Sequence, residues 1–401
     1  MEKPSFEKKL SKNYRNIPPS FVRNILNVAE NKQFISFAGG LPNPELFPAN
    51  EIRESANAVL KESAGKILQY AGSMGYYPLR DWIAKRYANK YSMNISADQV
   101  VITNGSQQAI DILARLFIDH GDGVVIEKPS YLGAIQALSA YRPEFCQVDL
   151  EEDGANLWQV EDWFLKDDLK LMYAVPNAQN PSGISYSASK RKHLAELLKT
   201  YDKFLIEDDP YNEIYFEHCF PAPVKKYATN NVAWTGSFSK MIAPGLRNGW
   251  VILPDELVPH FDKAKQSTDL NPNNLTQFVI QHYLTNNDLE KHLQAVQKKY
   301  NEQYQAMQEA INRFFPGDVS CTTPSGGMFT WLTLPAGISS VDLVQETMKK
   351  GVVFVPGNSF YTDGSGQEHI RLNFSNAHLP EIEKGIKIIA SELKKMMVSV
   401  C

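Results

Sequence analysis

Short apolar runs alternate with amphipathic stretches through the middle of the chain. Between residues 100 and 253, each run is only long enough for one buried strand. The runs cover 100–102, 124–126, 171–175, 204–206, 232–234 and 250–253. Stretches with helical spacing lie between several of them, at 106–119, 130–140 and 188–200. Apolar strands that alternate with helices predict an α/β fold with a mostly parallel sheet covered on both faces.

The pattern differs on either side of this central region. Helical spacing at 51–64 and 78–91 precedes it, and a short helix over 20–29 is predicted after Pro18-Pro19. After Pro254 a long helical region over 276–314 leads into a smaller α+β unit. That unit has strand-like pieces at 326–332, 352–355 and 370–374 and helices at 341–350 and 380–397. We therefore predict an N-terminal arm with the first helix over 1–45, a large domain over 46–290 and a small C-terminal domain over 291–401.

Composition narrows the class of protein. The 401 residues are 43% hydrophobic and 21% charged, as in an ordinary globular protein. A formal net charge of -4 argues against nucleic acid as a partner. No apolar run is long enough to span a bilayer, and the first residues lack a signal-peptide core. With distant cysteines and no metal-ligand spacing among the histidines, we expect a cytoplasmic protein without a metal site.

Polar residues and glycines follow four of the predicted strands. Because ligands bind at the carboxyl ends of the strands in such folds, we expect the segments that follow these four strands to form one site. Gly105-Ser106-Gln107 opens a helix with Ser106 as the expected N-cap, an arrangement that binds anions but also occurs in any capped helix. The other exits are 177–183, 208–211 and 237–240.

The stretch over 235–247 carries the most specific chemistry. Ser237, Ser239 and Arg247 stand among Gly and Pro and suit a phosphate as hydrogen-bond donors. Lys240 lies between apolar neighbours, where desolvation favours the neutral, nucleophilic amine. By itself the stretch equally fits a serine-rich turn with a solvated lysine. A phosphate site beside a reactive lysine is what pyridoxal phosphate requires.

Pyridoxal phosphate also needs groups around its ring, and the chain offers a candidate for each. Asp208 can hold the proton on the pyridine nitrogen, and Tyr211 and Asn180 can hydrogen-bond the ring oxygen. Tyr131 can stack on the ring, and Arg371 can accept the carboxylate of an amino acid on its guanidinium fork. Each candidate alone also fits an ordinary role, as a charged loop, a turn, a core tyrosine or an ion pair.

The order and spacing of these motifs resemble those of a known family. They are SFAGGLP at 36–42, NGSQQA at 104–109, NPSG at 180–183, EDDPY at 207–211, GSFSK at 236–240 with Arg247, PSGGMF at 324–329, and Arg371 with NFS at 373–375. From Ser20 to the last helix, the chain resembles the fold-type I pyridoxal-phosphate-dependent aminotransferases of class I/II. Within them it is most similar to 2-aminoadipate (LysN-type) and kynurenine/aminoadipate aminotransferases and to the aminotransferase-like half of MocR regulators.

The resemblance implies a role for each cofactor residue. Lys240 matches the lysine that bonds covalently to the cofactor, and Asp208 matches the partner of the pyridine nitrogen. Tyr211 and Asn180 match the ligands of the ring oxygen, and Tyr131 matches the stacking aromatic. The residues that match the phosphate site are Ser106, Gln107, Ser237, Ser239 and Arg247.

Four further positions concern the substrate and the partner subunit. Arg371 matches the arginine for the α-carboxylate, and Gly40 matches a backbone position on the substrate side. Arg23, in the first helix, matches an arginine that meets a side-chain carboxylate. Tyr70 matches the tyrosine that reaches the cofactor phosphate of the partner subunit, which implies a homodimer.

The resemblance implies an aminotransferase that moves the amino group of an L-amino acid to a 2-oxo acid, with 2-oxoglutarate expected. Arg23 permits 2-aminoadipate or glutamate-like donors, whereas Tyr70, Tyr131 and Phe329 permit aromatic ones, and the sequence does not rank the two classes. Two alternatives stay open: a lyase that uses the same cofactor, and a sensing module that binds cofactor and amino acid without turnover. The expected partners are small molecules and a second copy of the chain, with no nucleic acid and no membrane.

Overall fold

The computed structural model describes residues 9–15, 17–18 and 34–400, without the side chains of 399 and 400. The predicted helix over 20–29, which includes Arg23, lies outside these residues. The longer helices span Ala49–Ile67, Tyr77–Tyr91, Ser106–Phe117, Leu132–Ser139, Leu157–Phe164, Ala188–Thr200, Val258–Asp269, Asn274–Asn286, Leu289–Phe314, Ser340–Lys349 and Leu379–Val400. Short helical turns cover Lys12–Arg15 and Phe238–Met241.

The strands are numbered in chain order. They are β1 Ile35–Ser36, β2 Val100–Thr103, β3 Gly123–Lys128, β4 Glu144–Glu151, β5 Gly154–Ala155, β6 Leu169–Ala174, β7 Phe204–Asp208, β8 Val232–Ser237, β9 Gly249–Ile252, β10 Ser320–Cys321, β11 Phe329–Thr333, β12 Val352–Val353, β13 Val355–Pro356 and β14 His369–Asn373.

The large sheet has eight strands in the order β2-β9-β8-β7-β6-β3-β4-β5. Strands β4, β3, β6, β7 and β8 run parallel, as the alternation of strands and helices predicts. Strand β9 is antiparallel to both of its neighbours, and β5 is antiparallel to β4. The fold class is therefore confirmed as α/β with a mostly parallel sheet, although two strands run against the majority.

Helices cover the two faces of this sheet, because successive strand residues point to opposite sides. On β7, Leu205 packs into the core layer under helices Leu157–Phe164 and Ala188–Thr200. Its neighbour Ile206 packs into the other layer, which includes helices Tyr77–Tyr91 and Ser106–Phe117. Both residues are fully buried, which explains why the strands are apolar throughout.

A separate sheet of four antiparallel strands, in the order β10-β11-β14-β13, lies in the C-terminal part of the chain. The predicted single strand over 352–355 is wrong. It divides at Phe354 into β12, which pairs in parallel with β1 near the N-terminus, and β13, which pairs with β14. Residues 326–328 were predicted as the start of a strand, but β11 begins only at Phe329.

The predicted helical region over 276–314 is two helices rather than one. The first ends at Asn286 and the second begins at Leu289, where the Asp288 side chain accepts a hydrogen bond from the Lys291 amide as an N-cap. Within the described residues, no helix is long and apolar enough to cross a membrane. The domain boundaries after residues 45 and 290 remain predictions.

Candidate active site

A cavity of about 360 Å³ opens at the carboxyl ends of the parallel strands. Its wall brings together twelve of the fourteen predicted site residues: Gly40, Ser106, Gln107, Tyr131, Asn180, Asp208, Tyr211, Ser237, Ser239, Lys240, Arg247 and Arg371. Tyr70 is not part of this wall, and its side chain is 80% exposed. Arg23 lies outside the described residues.

Lys240 lies in the short helical turn Phe238–Met241, directly after β8. Ser237 caps this turn, because its hydroxyl accepts a hydrogen bond from the Ser239 amide at 3.1 Å and donates to the Ser239 hydroxyl at 2.9 Å. The Lys240 amine donates to the carbonyl of Gly40 at 2.8 Å. The turn therefore fixes the lysine at the carboxyl end of the sheet with its amine in the cavity.

The surroundings of Lys240 favour its neutral form. Desolvation, followed by the positive charges of Arg371 and Arg247, lowers the pKa of Lys240 to about 8. The residue is half-buried because it faces the cavity, and a neutral carbonyl is its hydrogen-bond acceptor. Far more of this amine than of an ordinary lysine is thus unprotonated near neutral pH and able to act as a nucleophile.

This lowered pKa has a measurable consequence in the protein without cofactor. The Lys240 amine should react with a small acylating reagent at a rate that rises with pH, is half-maximal near about pH 8 and levels off above it, because only the neutral amine is nucleophilic. Peptide mass spectrometry of timed samples gives the rate for this lysine, with free N-acetyl-lysine (pKa about 10.4) as reference. A rate for Lys240 that follows the free lysine across this range would contradict the assignment.

Asp208 is the acid of the cavity and ends strand β7. Its carboxylate accepts hydrogen bonds from the Thr235 hydroxyl at 2.6 Å and the Tyr173 hydroxyl at 2.8 Å. Burial raises the pKa of Asp208, and the hydrogen bonds from Thr235 and Tyr173, with a further one from Ser106, oppose that rise. In the described part of the chain, no Lys, Arg or His forms an ion pair with it. A buried carboxylate without a cationic partner is suited to bind a cationic group of a ligand.

Arg371 lies on the opposite side of the cavity, on strand β14. Its guanidinium carbon is 4.3 Å from the centre of the Phe329 ring and 5.0 Å from that of Phe360. One terminal nitrogen donates to Asn180 Oδ1 at 2.7 Å and the other to the Ala38 carbonyl at 2.5 Å. Its Nε is buried without a hydrogen-bond partner in the described structure. The guanidinium is thus held in place by its hydrogen bonds and ring contacts, with its positive charge at the cavity wall.

The loop before helix Ser106–Phe117 forms another part of the cavity wall, beside Asp208 and Arg371. Here the N-cap prediction is wrong by one residue: Gly105 occupies the cap with φ +82°, and Ser106 is the first helical residue. The positive φ favours glycine, and a side chain at position 105 would also meet the Arg247 guanidinium at 2.6 Å and displace it. Arg247 Nη2 donates to the Asn104 carbonyl at 3.1 Å. Helix amides, hydroxyls and a guanidinium therefore converge at this part of the wall.

The cavity fits pyridoxal phosphate on the chemistry of its donors. Lys240, Arg247 and Arg371 are the cations of its wall and Asp208 is the carboxylate, so the site favours a ligand with two anionic groups and one cationic ring. The helix amino end and Arg247 suit the phosphate, Arg371 suits a carboxylate, and the buried Asp208 suits a pyridinium. Among the described residues, no group of His, Cys, Asp and Glu could hold a metal ion.

Some residues that shape the site were not found from the sequence. The Phe360 ring contacts the Arg371 guanidinium, and the Tyr173 and Thr235 hydroxyls donate to Asp208. Tyr173 lies inside the apolar run over 171–175 and Thr235 directly follows the run over 232–234, and neither position by itself indicates a role at the site. Only the strand order, which places β6 and β8 on either side of β7, shows that they converge on one carboxylate.

Comparisons with known proteins agree with this chemistry. The family model described as "Aminotransferase class I and II" matches residues 38–389. The chain is 36% identical to aromatic-amino-acid aminotransferase 1 of Thermococcus litoralis, over 98% of this chain and 95% of that protein. It is 34% identical to 2-aminoadipate transaminase of Thermus thermophilus, over the full length of both.

A solved structure gives the same result in three dimensions. The Pyrococcus horikoshii kynurenine aminotransferase, determined with PMP, kynurenine and its product, superposes with a TM-score of 0.93. The two chains are 38% identical, and the match covers 98% of each. The sequence resemblance is thus confirmed over nearly the whole chain. The protein belongs to the class I and II aminotransferases: it is a transaminase, and its cofactor is pyridoxal phosphate.

Proposed function

We propose that this enzyme transfers the amino group of a large L-amino acid, aromatic or 2-aminoadipate, to 2-oxoglutarate, and that it acts as a homodimer. The observation that carries the proposal is the convergence of the Lys240 amine, the Asp208 carboxylate and the Arg371 guanidinium on one cavity. We choose aromatic and aminoadipate donors because the names of the relatives from Thermococcus and Thermus give these substrates. The apolar part of the cavity wall, with Tyr131, Leu132 and Phe329, supports a large side chain.

We assign the cofactor contacts as follows. The phosphate is held by the donors of the helix amino end and the lysine turn: Ser106, Gln107, Ser237, Ser239 and Arg247. Tyr131 stacks on the ring, Asn180 and Tyr211 hydrogen-bond the ring oxygen, and Asp208 holds the ring nitrogen. When bound, pyridoxal phosphate supplies an electron sink that makes the α-hydrogen of the amino acid acidic.

The protein's own residues then orient the substrate and move protons. Arg371 binds the α-carboxylate, and the Gly40 carbonyl holds the lysine amine on the substrate side. The Lys240 amine removes the proton from the α-carbon as a general base and returns it as a general acid. Desolvation in the cavity lowers the pKa of this amine and so favours the neutral form that acts as the base.

The homodimer is proposed from the loop after helix Ala49–Ile67. Leu68 and Tyr70 there are 71% and 80% exposed, and neither lines the cavity of its own chain. A tyrosine so exposed is free to reach the cofactor phosphate bound in the partner subunit. Sedimentation of the purified protein should therefore give twice the mass of one chain. A monomer with full activity would exclude a shared site. The cytoplasmic location expected from the sequence stays a prediction.

The donor and acceptor are tested together. Purified enzyme is given pyridoxal phosphate, 2-oxoglutarate and one amino acid from a panel of 2-aminoadipate, aromatic, leucine-like and aspartate donors, and glutamate is measured. We expect the highest kcat/KM with aromatic donors or 2-aminoadipate, and no glutamate from the Lys240→Ala control. Preference for aspartate, or glutamate formation slower than alanine formation from pyruvate, would contradict the proposed donor or acceptor.

A further inference from the structure

Asp208 is held from both sides by hydroxyl groups of the neighbouring strands. Tyr173 on β6 donates to one carboxylate oxygen at 2.8 Å, and Thr235 on β8 donates to the other at 2.6 Å. Both side chains are fully buried, and Asp208 is 1% exposed. Each oxygen thus has one donor from a neighbouring strand, which sets the plane of the carboxylate at the edge of the cavity. The Ser106 side chain, from the helix at the cavity wall, is a further hydrogen-bond partner of this carboxylate.

The sheet register makes this arrangement specific. Asp208 is paired with Thr235, so their side chains point to the same face. Tyr173 is paired with Ile206, which lies two residues before Asp208 on the same strand and therefore also on that face. The long tyrosine side chain spans this offset to reach the carboxylate. A shift of one residue in either pairing would turn its hydroxyl to the opposite side of the sheet.

We propose that Tyr173 and Thr235 are positioning residues whose hydroxyls keep the proton of the Asp208–cofactor pair on the ring nitrogen. The inference rests on the proposed role of Asp208. A carboxylate that accepts two hydroxyl hydrogen bonds is a weaker base than one that accepts none. It therefore leaves the shared proton on nitrogen, where the positive charge strengthens electron withdrawal. Removal of one hydroxyl makes the carboxylate more basic and moves the proton toward oxygen.

The chain offers a matched control for this test. Tyr186 is equally buried and also donates its hydroxyl to a buried carboxylate, Glu127 Oε1, at 2.8 Å. Glu127 is not part of the cavity wall. Tyr186→Phe thus removes the same kind of hydrogen bond at the same distance, from an acid that does not face the cofactor. Any effect that follows only from losing a buried hydroxyl should be the same in Tyr186→Phe and Tyr173→Phe.

The experiment is ¹⁵N NMR of holoenzyme loaded with pyridoxal phosphate labelled at the ring nitrogen. In Tyr173→Phe and Thr235→Val we expect the resonance to move toward that of neutral pyridine, with a larger move in Asp208→Ala and none in Tyr186→Phe. The half-reaction rate constant should fall about tenfold in Tyr173→Phe, with KM nearly unchanged. Thr235→Val provides a second test if Tyr173→Phe does not fold.

The other outcomes separate the inference from the function on which it rests. If Asp208→Ala moves the resonance but Tyr173→Phe and Thr235→Val do not, the inference is wrong and the role of Asp208 stands. If Tyr186→Phe moves it as far as Tyr173→Phe, the effect is general to the fold and the inference is also wrong. If Asp208→Ala leaves the resonance in place, the proposed role of Asp208 fails, and the inference fails with it.

Discussion

Replacing Lys240 with alanine should lower the rate of the amino-transfer half-reaction by about 10⁴-fold or more. The amine both bonds to the cofactor and carries the α-proton, and no other lysine lines the described cavity wall to take its place. The visible absorption of the bound cofactor should also change, because the lysine bond contributes to it. Single-turnover spectra with a saturating amino acid measure both effects on one sample.

Lys225 provides the control for this substitution. It is 1% exposed, burial lowers the pKa of its amine to about 7, and the amine donates to the carbonyls of Thr229 and Val232. Lys225→Ala should destabilise the fold by about 2 kcal/mol and leave the cofactor spectrum and the half-reaction rate unchanged. Loss of activity in Lys225→Ala but not in Lys240→Ala would show that the wrong buried lysine has been assigned.

Replacing Arg371 with lysine should lower kcat/KM for amino acids by about 10³-fold. Lysine keeps the positive charge but lacks the flat fork that contacts the Phe329 and Phe360 rings and reaches Asn180 and the Ala38 carbonyl. The carboxylate of the substrate then loses its paired donors, and the Asn180 side chain loses a partner. Steady-state kinetics with the preferred amino acid give the ratio.

Two comparisons show whether the loss of kcat/KM in Arg371→Lys comes from the contact with the substrate carboxylate. With a primary amine that has no carboxylate, the wild type and Arg371→Lys should react at similar slow rates. Arg80 is also buried and donates to the carbonyls of Ala97 and Val100, away from the cavity, so Arg80→Lys should lower stability without the loss in kcat/KM. An equal loss with the simple amine would mean that Arg371 acts on the fold rather than on the substrate.

The parts of the fold that follow from local pattern were predictable from the sequence. Strand β7 is buried on both faces and therefore reads as an apolar run, as do β3, β6 and β8. Strand β4 was missed because its residues alternate between exposed and buried positions and interrupt the apolar run. The antiparallel direction of β9 has no local signal, since it depends on how the chain returns to the sheet.

The boundary between helices Asn274–Asn286 and Leu289–Phe314 has a local signal in the sequence. Asn286, Asn287 and Asp288 form a polar group in the middle of the helical region, and Asp288 is a typical N-cap residue. This group marks the end of one helix and the start of the next. The division of 352–355 between β12 and β13 could not be found this way, because it depends on the distant partners β1 and β14.

The residues of the candidate site also fall into those that local sequence predicts and those that depend on distant segments. Residues at strand exits, such as Asp208 and Lys240, were predictable because the ends of parallel strands meet at one edge of the sheet. Tyr173 and Thr235 were not, since their shared contact with Asp208 depends on strand order and register. The contacts of Arg371 with the Phe329 and Phe360 rings likewise join segments that are distant in sequence.

The lysine assignment can be measured directly by reducing the holoenzyme with sodium borohydride, which makes the bond between a lysine amine and the cofactor aldehyde permanent. Peptide mass spectrometry then identifies the modified residue. We expect the cofactor mass on Lys240 alone, in stoichiometric yield, and none in Lys240→Ala. Stoichiometric modification of another lysine, or an unmodified Lys240 in active enzyme, would contradict the assignment on which the proposed chemistry rests.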